Sequence, residues 1–167
     1  MEPQRHPTEP VGFARHDHSH CVEDALAAAE ARCLYEGLRF TPVRRRALEI
    51  LLERHRAMGA YEVLERLQAE GLGAQPPAAY RALDFLVANG FAHRVERLNA
   101  FVACNHPGED HIPAFLICRS CNRVAETVAL PARAQLVSAA AASGFEVERV
   151  LVEAEGRCAA CRQSDSE

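Results

Sequence analysis

A chain of 167 residues that is 49% apolar and 25% charged is long enough to bury one large core or two small ones, which excludes a wholly disordered chain. Its net charge of −4 excludes a uniformly basic coat for nucleic acid. It carries no charged-then-apolar leader and no run of about 18 apolar residues, so a reducing cytoplasm is the expected setting and a membrane partner is not.

Residues 1–21 carry Pro3, Pro7, Pro10 and Gly12 without apolar periodicity and read as a disordered tail. The tract His16, His18, His20 and Cys21 within it suits weak accessory metal capture, and the sequence does not decide whether it or His106 forms a third metal site. The Ala-rich run from Val22 to Glu36 predicts a helix ended by Gly37. Thr41-Pro42 is an N-cap followed by proline at the first helical position, and it opens a second helix, Val43 to about His55, with Val43, Ala47, Ile50 and Leu51 inward.

All 19 basic residues are arginine. Between Arg39 and Arg56 six arginines stand against Glu49 and Glu53 alone. Arg44, Arg45 and Arg46 open the second helix, where cations oppose the helix dipole, and an anion such as a DNA phosphate would relieve that cost. A solvated helix face is the plainer reading of the same run. A third helix, Ala60 to Glu70, turns Val63, Leu64 and Leu67 inward and holds Tyr61 in its first turn, within reach of a phosphate or half-buried by packing.

Pro76-Pro77 then opens a fourth helix closed by Asn89-Gly90, with Leu83, Leu86 and Val87 facing the core and Tyr80 and Arg81 in its first turns. Alternation over Phe91–Glu96 and Ala100–Cys104 predicts a hairpin turning near Leu98. Two helices, a recognition helix and a hairpin make a winged helix-turn-helix. Tyr80 and Arg81 lie where such a domain reads base edges, and Arg suits bidentate contact with guanine.

Beyond the linker at 105–111, strands are expected at 112–117, 123–128 and 145–154, with a helix over 131–143. This smaller α/β unit leaves sheet edges that a second copy would cover, so a homodimer is expected. Two Cys-x-x-Cys pairs, Cys118/Cys121 and Cys158/Cys161, offer four soft thiolates, the complement of a closed tetrahedral zinc site, and Asn122 tolerates the left-handed turn a metal knuckle needs. Disulfides fit less well in a reducing compartment, a thioredoxin-like redox site wants one Cys-x-x-Cys opening a helix after a strand rather than two pairs, and incidental packing is the remaining reading.

His93, Cys104, His111 and Glu126 form a second set. In the expected hairpin, 93 lies opposite 103 and beside Cys104. Two imidazoles, a thiolate and a carboxylate suit tetrahedral zinc, and the thiolate disfavours manganese. Taken singly, His93 reads as a wing residue, Cys104 as a small buried group and Glu126 as a solvated strand residue. Spacing alone does not draw the four together.

The segments Arg39-Phe40-Thr41-Pro42-x-Arg44, Tyr80-Arg81-Ala82-Leu83-Asp84-Phe85-Leu86, Gly90 to Glu96 and the two Cys-x-x-Cys pairs together resemble the Fur family of metal-sensing repressors, closest to its zinc-responsive branch. The resemblance covers roughly residues 30–161. It implies an α+β chain: a winged-helix DNA-binding domain at 22–104, a hinge at 105–111, and a dimerisation and zinc-binding domain at 112–167. It implies a structural zinc on Cys118, Cys121, Cys158 and Cys161, and a sensing zinc on His93, Cys104, His111 and Glu126, two per chain. It further implies DNA contacts from Tyr80 and Arg81, beside the Arg44, Arg45 and Tyr61 named above.

The implied function is zinc-dependent repression of zinc-uptake genes by a dimer on operator DNA, with no small-molecule substrate. Two departures stand out. Iron-sensing members carry a His-His-Asp-His run where this chain has Ile112-Pro113-Ala114-Phe115, and Ala78-Ala79 replaces the usual Thr-Val of the recognition helix. An iron, manganese or peroxide sensor is the rival within the class. A zinc store or chaperone built on the tail is a rival outside it. A zinc enzyme is disfavoured because catalytic zinc keeps a position open for water, whereas both sets here number four.

Overall fold

The computed structural model describes residues 13, 18–53, 56–72, 75–107, 111–128 and 130–164. The tail expected at 1–21 lies outside the described residues except for Phe13 and the backbone of 18–21, and so do residues 108–110 of the linker. Among the described residues no helix is long and apolar enough to cross a membrane.

Four helices come first: α1 (His18–Tyr35), α2 (Pro42–Leu52), α3 (Ala60–Ala69) and α4 (Pro76–Ala88). The first starts at His18 rather than at Val22. Thr41 caps α2 as its sequence implies, in extended backbone with its side-chain oxygen accepting from the Arg44 N–H at 3.4 Å. Gln75 makes no side-chain cap for α4. The apolar stripes converge on one core containing Leu26, Ile50, Leu51, Val63, Leu67, Leu83, Leu86 and Phe91. Val87, expected inward, is 37% exposed.

The hairpin of β1 (Ala92–Val95) and β2 (Ala100–Ala103) completes a winged helix. Its register pairs Ala92 with Ala103 and His93 with Val102, one step from the pairing of 93 with 103 expected from sequence. The cause is the turn. Glu96–Leu98 form a 3-10 turn and Asn99 takes the left-handed conformation at φ 46°, so the connection takes four residues, 96–99, one more than the three expected.

Strands β3 (Pro113–Cys118), β4 (Val124–Val128) and β5 (Val152–Gly156) make a second sheet in the order β4-β3-β5. The first pair is antiparallel and the β3–β5 pair parallel. The strand expected from Phe145 begins only at Val152, because 145–150 follow the end of α5 (Leu130–Ala142) without joining the ladder. A short helix, α6 (Ala159–Gln163), follows Cys158 and was not expected.

Strand periodicity decides how the two units meet. In the ladders Phe115 faces Glu126 and Glu153, and Ile117 faces Val124 and Glu155, so these six residues share one face of the second sheet. On the hairpin, His93, Val95 and Val102 share a face, while Ala92 and Phe101 point back into the helical core. The two faces close on each other: Val95, Val102, Phe115, Ile117 and Val124 form a second buried cluster, with Leu98 packed against it. The wing is thus sandwiched between helices and sheet. By contrast α5 is bare, with residues 132–139 all exposed and Leu136 at 53%.

Candidate metal centres and nucleic-acid interface

The first centre is built where β3 ends. Cys118 closes the strand, and its carbonyl accepts from Asn122 N–H at 2.9 Å across a knuckle in which Asn122 has φ 58°. Because β5 runs parallel to β3, its exit delivers Cys158 and Cys161 to the same end of the sheet. All four sulfurs lie within 4.8 Å of one another, and Cys121 and Cys158 are 3.9 Å apart. Four thiolates at ~2.3 Å from a tetrahedral zinc would be spaced about 3.8 Å apart, so the cluster fits the ion. Its protonation fits as well. Burial opposes ionisation of Cys118, but N–H groups of Cys158, Cys121 and Ser120 outweigh it and bring the thiol down to about 6. Hydrogen bonding to its neighbours Cys158 and Cys121 pushes Cys161 up to about 12. Such a set holds one thiolate readily and needs a cation to hold four.

The second centre sits in the joint between hairpin and sheet. His93 comes from β1, Cys104 from the residue after β2, His111 from the far end of the linker and Glu126 from β4. Their ligand atoms also lie within 4.8 Å of one another. His111 Nε2 is 2.7 Å from Glu126 Oε1 and 3.6 Å from Cys104 Sγ, and His93 Nε2 is 3.3 Å from Glu126 Oε1. Nitrogen and oxygen ligands at ~2.0 Å from a tetrahedral zinc would stand about 3.3 Å apart.

Two observations point to a cation here. The buried Nε2 of His93 is close enough to Glu126 for an electrostatic contact but makes no well-formed hydrogen bond among the described residues. Glu126 is a charged side chain only 2% exposed. Burial pushes the Glu126 carboxyl up, but His93, the Asn105 N–H at 2.9 Å and His111 outweigh it and hold the group below its usual range. Both quartets predicted from sequence are therefore brought together. What sequence reasoning missed is their support: the Asn105 N–H on Glu126, and Phe115, whose ring centre lies 5.8 Å from that of His93.

The expected DNA-facing residues fare unevenly. Tyr61 and Tyr80 are exposed, at 70% and 42%, and Arg81 is exposed on the first turns of α4. Tyr61 is therefore not a packing residue. The arginines of α2 are more engaged than their run suggested. Arg44 lies over the Phe85 ring at 3.8 Å and donates to the Arg39 carbonyl. Arg45 pairs with Glu30 at 2.6 Å and with Glu49. Arg46 reaches Glu49, Glu53 and Glu70. Glutamates offset the local excess of charge, and two of them, Glu30 and Glu70, lie outside the Arg39–Arg56 run.

The model of the ferric uptake regulator family matches residues 35–155. The chain is 37% identical to the zinc uptake regulation protein of Escherichia coli (strain K12) over 141 residues, which is 84% of this chain and 82% of that protein. The same values hold for the zinc uptake regulation protein of Shigella flexneri. A zinc uptake regulator complexed with zinc and DNA superposes with a TM-score of 0.82 at 35% identity, covering 87% of this chain and 98% of that one. Holo XcZur superposes at 0.75 and 38% identity, covering 88% and 99%.

Proposed function

The chain belongs to the ferric uptake regulator family, and from that premise we propose that it is a zinc-responsive transcriptional repressor which binds operator DNA as a homodimer and controls zinc-uptake genes. The observation that carries this reading is the quartet of His93, Cys104, His111 and Glu126, whose members come from both sides of the joint between wing and sheet. Bound zinc would supply one centre to which both sides are tied. His93 and Cys104 then hold the wing, Glu126 holds the sheet, and His111 holds the end of the linker. Ordering that joint fixes the two recognition helices of a dimer at one separation, which is what reading two major grooves demands.

In this reading the domains are 22–104 for DNA, 105–111 as hinge and 112–167 for dimerisation, with one structural zinc on the four cysteines and one sensing zinc per chain. Tyr80 and Arg81 read bases. Tyr61 and Arg45 face phosphate, and Arg44 braces α4 through Phe85. The bare α5, with Leu136 and Val137 exposed, supports burial against a second copy. Four protein donors in each quartet support binding rather than zinc catalysis on a small substrate. A DNA-binding repressor works in the cytoplasm. Against an iron sensor, Ile112, Pro113, Ala114 and Phe115 offer no ligating side chain, and Phe115 is 1% exposed in the second core. The test is operator binding by purified protein at buffered free zinc, manganese and ferrous iron. Zinc should activate at the lowest free concentration, and indifference to all three would refute the proposal.

A further inference from the structure

The hairpin turn is held to the second sheet by residues that belong to neither metal quartet. Glu153, on β5, accepts from two successive backbone N–H groups of the turn: Glu96 N–H at 2.6 Å and Arg97 N–H at 2.9 Å, one on each carboxylate oxygen. Its neighbours extend the contact, with Arg97 Nε 3.2 Å from Glu155 and Arg149 Nη2 3.4 Å from Glu96. The residue is placed there by register. In the parallel ladder Glu153 lies level with Phe115, on the face that meets the wing, and Glu126 lies level with Phe115 from the other side. One row across the sheet thus carries the sensing carboxylate at one end and the turn-binding carboxylate at the other.

From this row we infer that Glu153 is a positioning residue for the sensing centre, a metal-independent latch that holds the wing docked so that His93 and Cys104 meet Glu126 and His111. The inference rests on the zinc-sensor reading above. The quartet is complete only when wing and sheet are docked, so its apparent zinc affinity scales with the docked fraction. Two hydrogen bonds to an ionised carboxylate favour docking. Glu153 is partly exposed, which limits their strength. The four-cysteine centre lies wholly on the sheet side and is independent of the latch.

The experiment is chelator competition for zinc on full-length protein without DNA, comparing wild type with Glu153→Ala and Glu153→Gln. Hydrogen exchange at the Glu96 and Arg97 amides is followed in parallel. Glu153→Ala should weaken the second zinc by about three- to tenfold, leave the first unchanged and speed exchange at both amides. Glu153→Gln keeps shape and one acceptor oxygen and should fall between, and it carries the test if the alanine variant folds poorly. Two zinc ions bound with wild-type affinity by both variants would overturn this inference alone. Only one zinc bound by wild type would sink the sensor reading and the inference with it.

Discussion

His93 Nε2 stands 3.3 Å from Glu126 Oε1 although one belongs to the wing and the other to the second sheet. The contact exists because two registers agree: His93 shares a hairpin face with Val95 and Val102, and Glu126 shares a sheet face with Phe115 and Val124. Slipping either ladder by one residue would turn one ligand away, since side chains alternate across a strand.

Removing either side of that joint should uncouple metal from DNA. Glu126→Ala and Cys104→Ser are expected to fold as dimers with the four-cysteine zinc retained and the second zinc lost. Operator affinity at saturating zinc should fall about 5- to 150-fold, the usual span of a coupling energy. Zinc content and operator titration check both halves of the claim.

The four-cysteine centre should behave differently. Cys118→Ser or Cys161→Ser leaves the knuckle without its full ligand set, and structural metal binding contributes to folding directly. Loss of that zinc and dissociation of the dimer are expected by mass measurement and sedimentation. A folded dimer with full zinc content would remove the structural role.

Much of this was legible in the chain and some was not, for physical reasons. The cysteine pairs, the Thr41-Pro42 cap and the stripe of Val63, Leu64 and Leu67 are local patterns, and local patterns survive folding. The quartet of His93, Cys104, His111 and Glu126 is not local. Its four residues meet through one hairpin register and one sheet register, and the first of these is set by a four-residue connection, 96–99, that ends in left-handed Asn99. Glu153 escaped notice because an acidic residue alternating with Val152 and Ala154 looks like a solvated strand. The run around Arg45 and Arg46 reads as an excess of positive charge because Glu30 and Glu70, which pair with them, lie outside it in the chain.

At the DNA face, Arg81→Ala should weaken operator binding by about 1–3 kcal/mol and relax base preference, as loss of a bidentate base contact does. Binding to random duplex should change far less. Equal loss on both would make Arg81 a phosphate contact instead.

In the proposed function zinc and operator favour the same docked joint, and linkage makes that reciprocal. The direct measurement is the zinc affinity of the second site in wild-type protein against a chelator, with and without operator DNA. Operator should tighten zinc by the same factor by which zinc tightens operator. A zinc affinity unchanged by operator, with both metals bound, would contradict it.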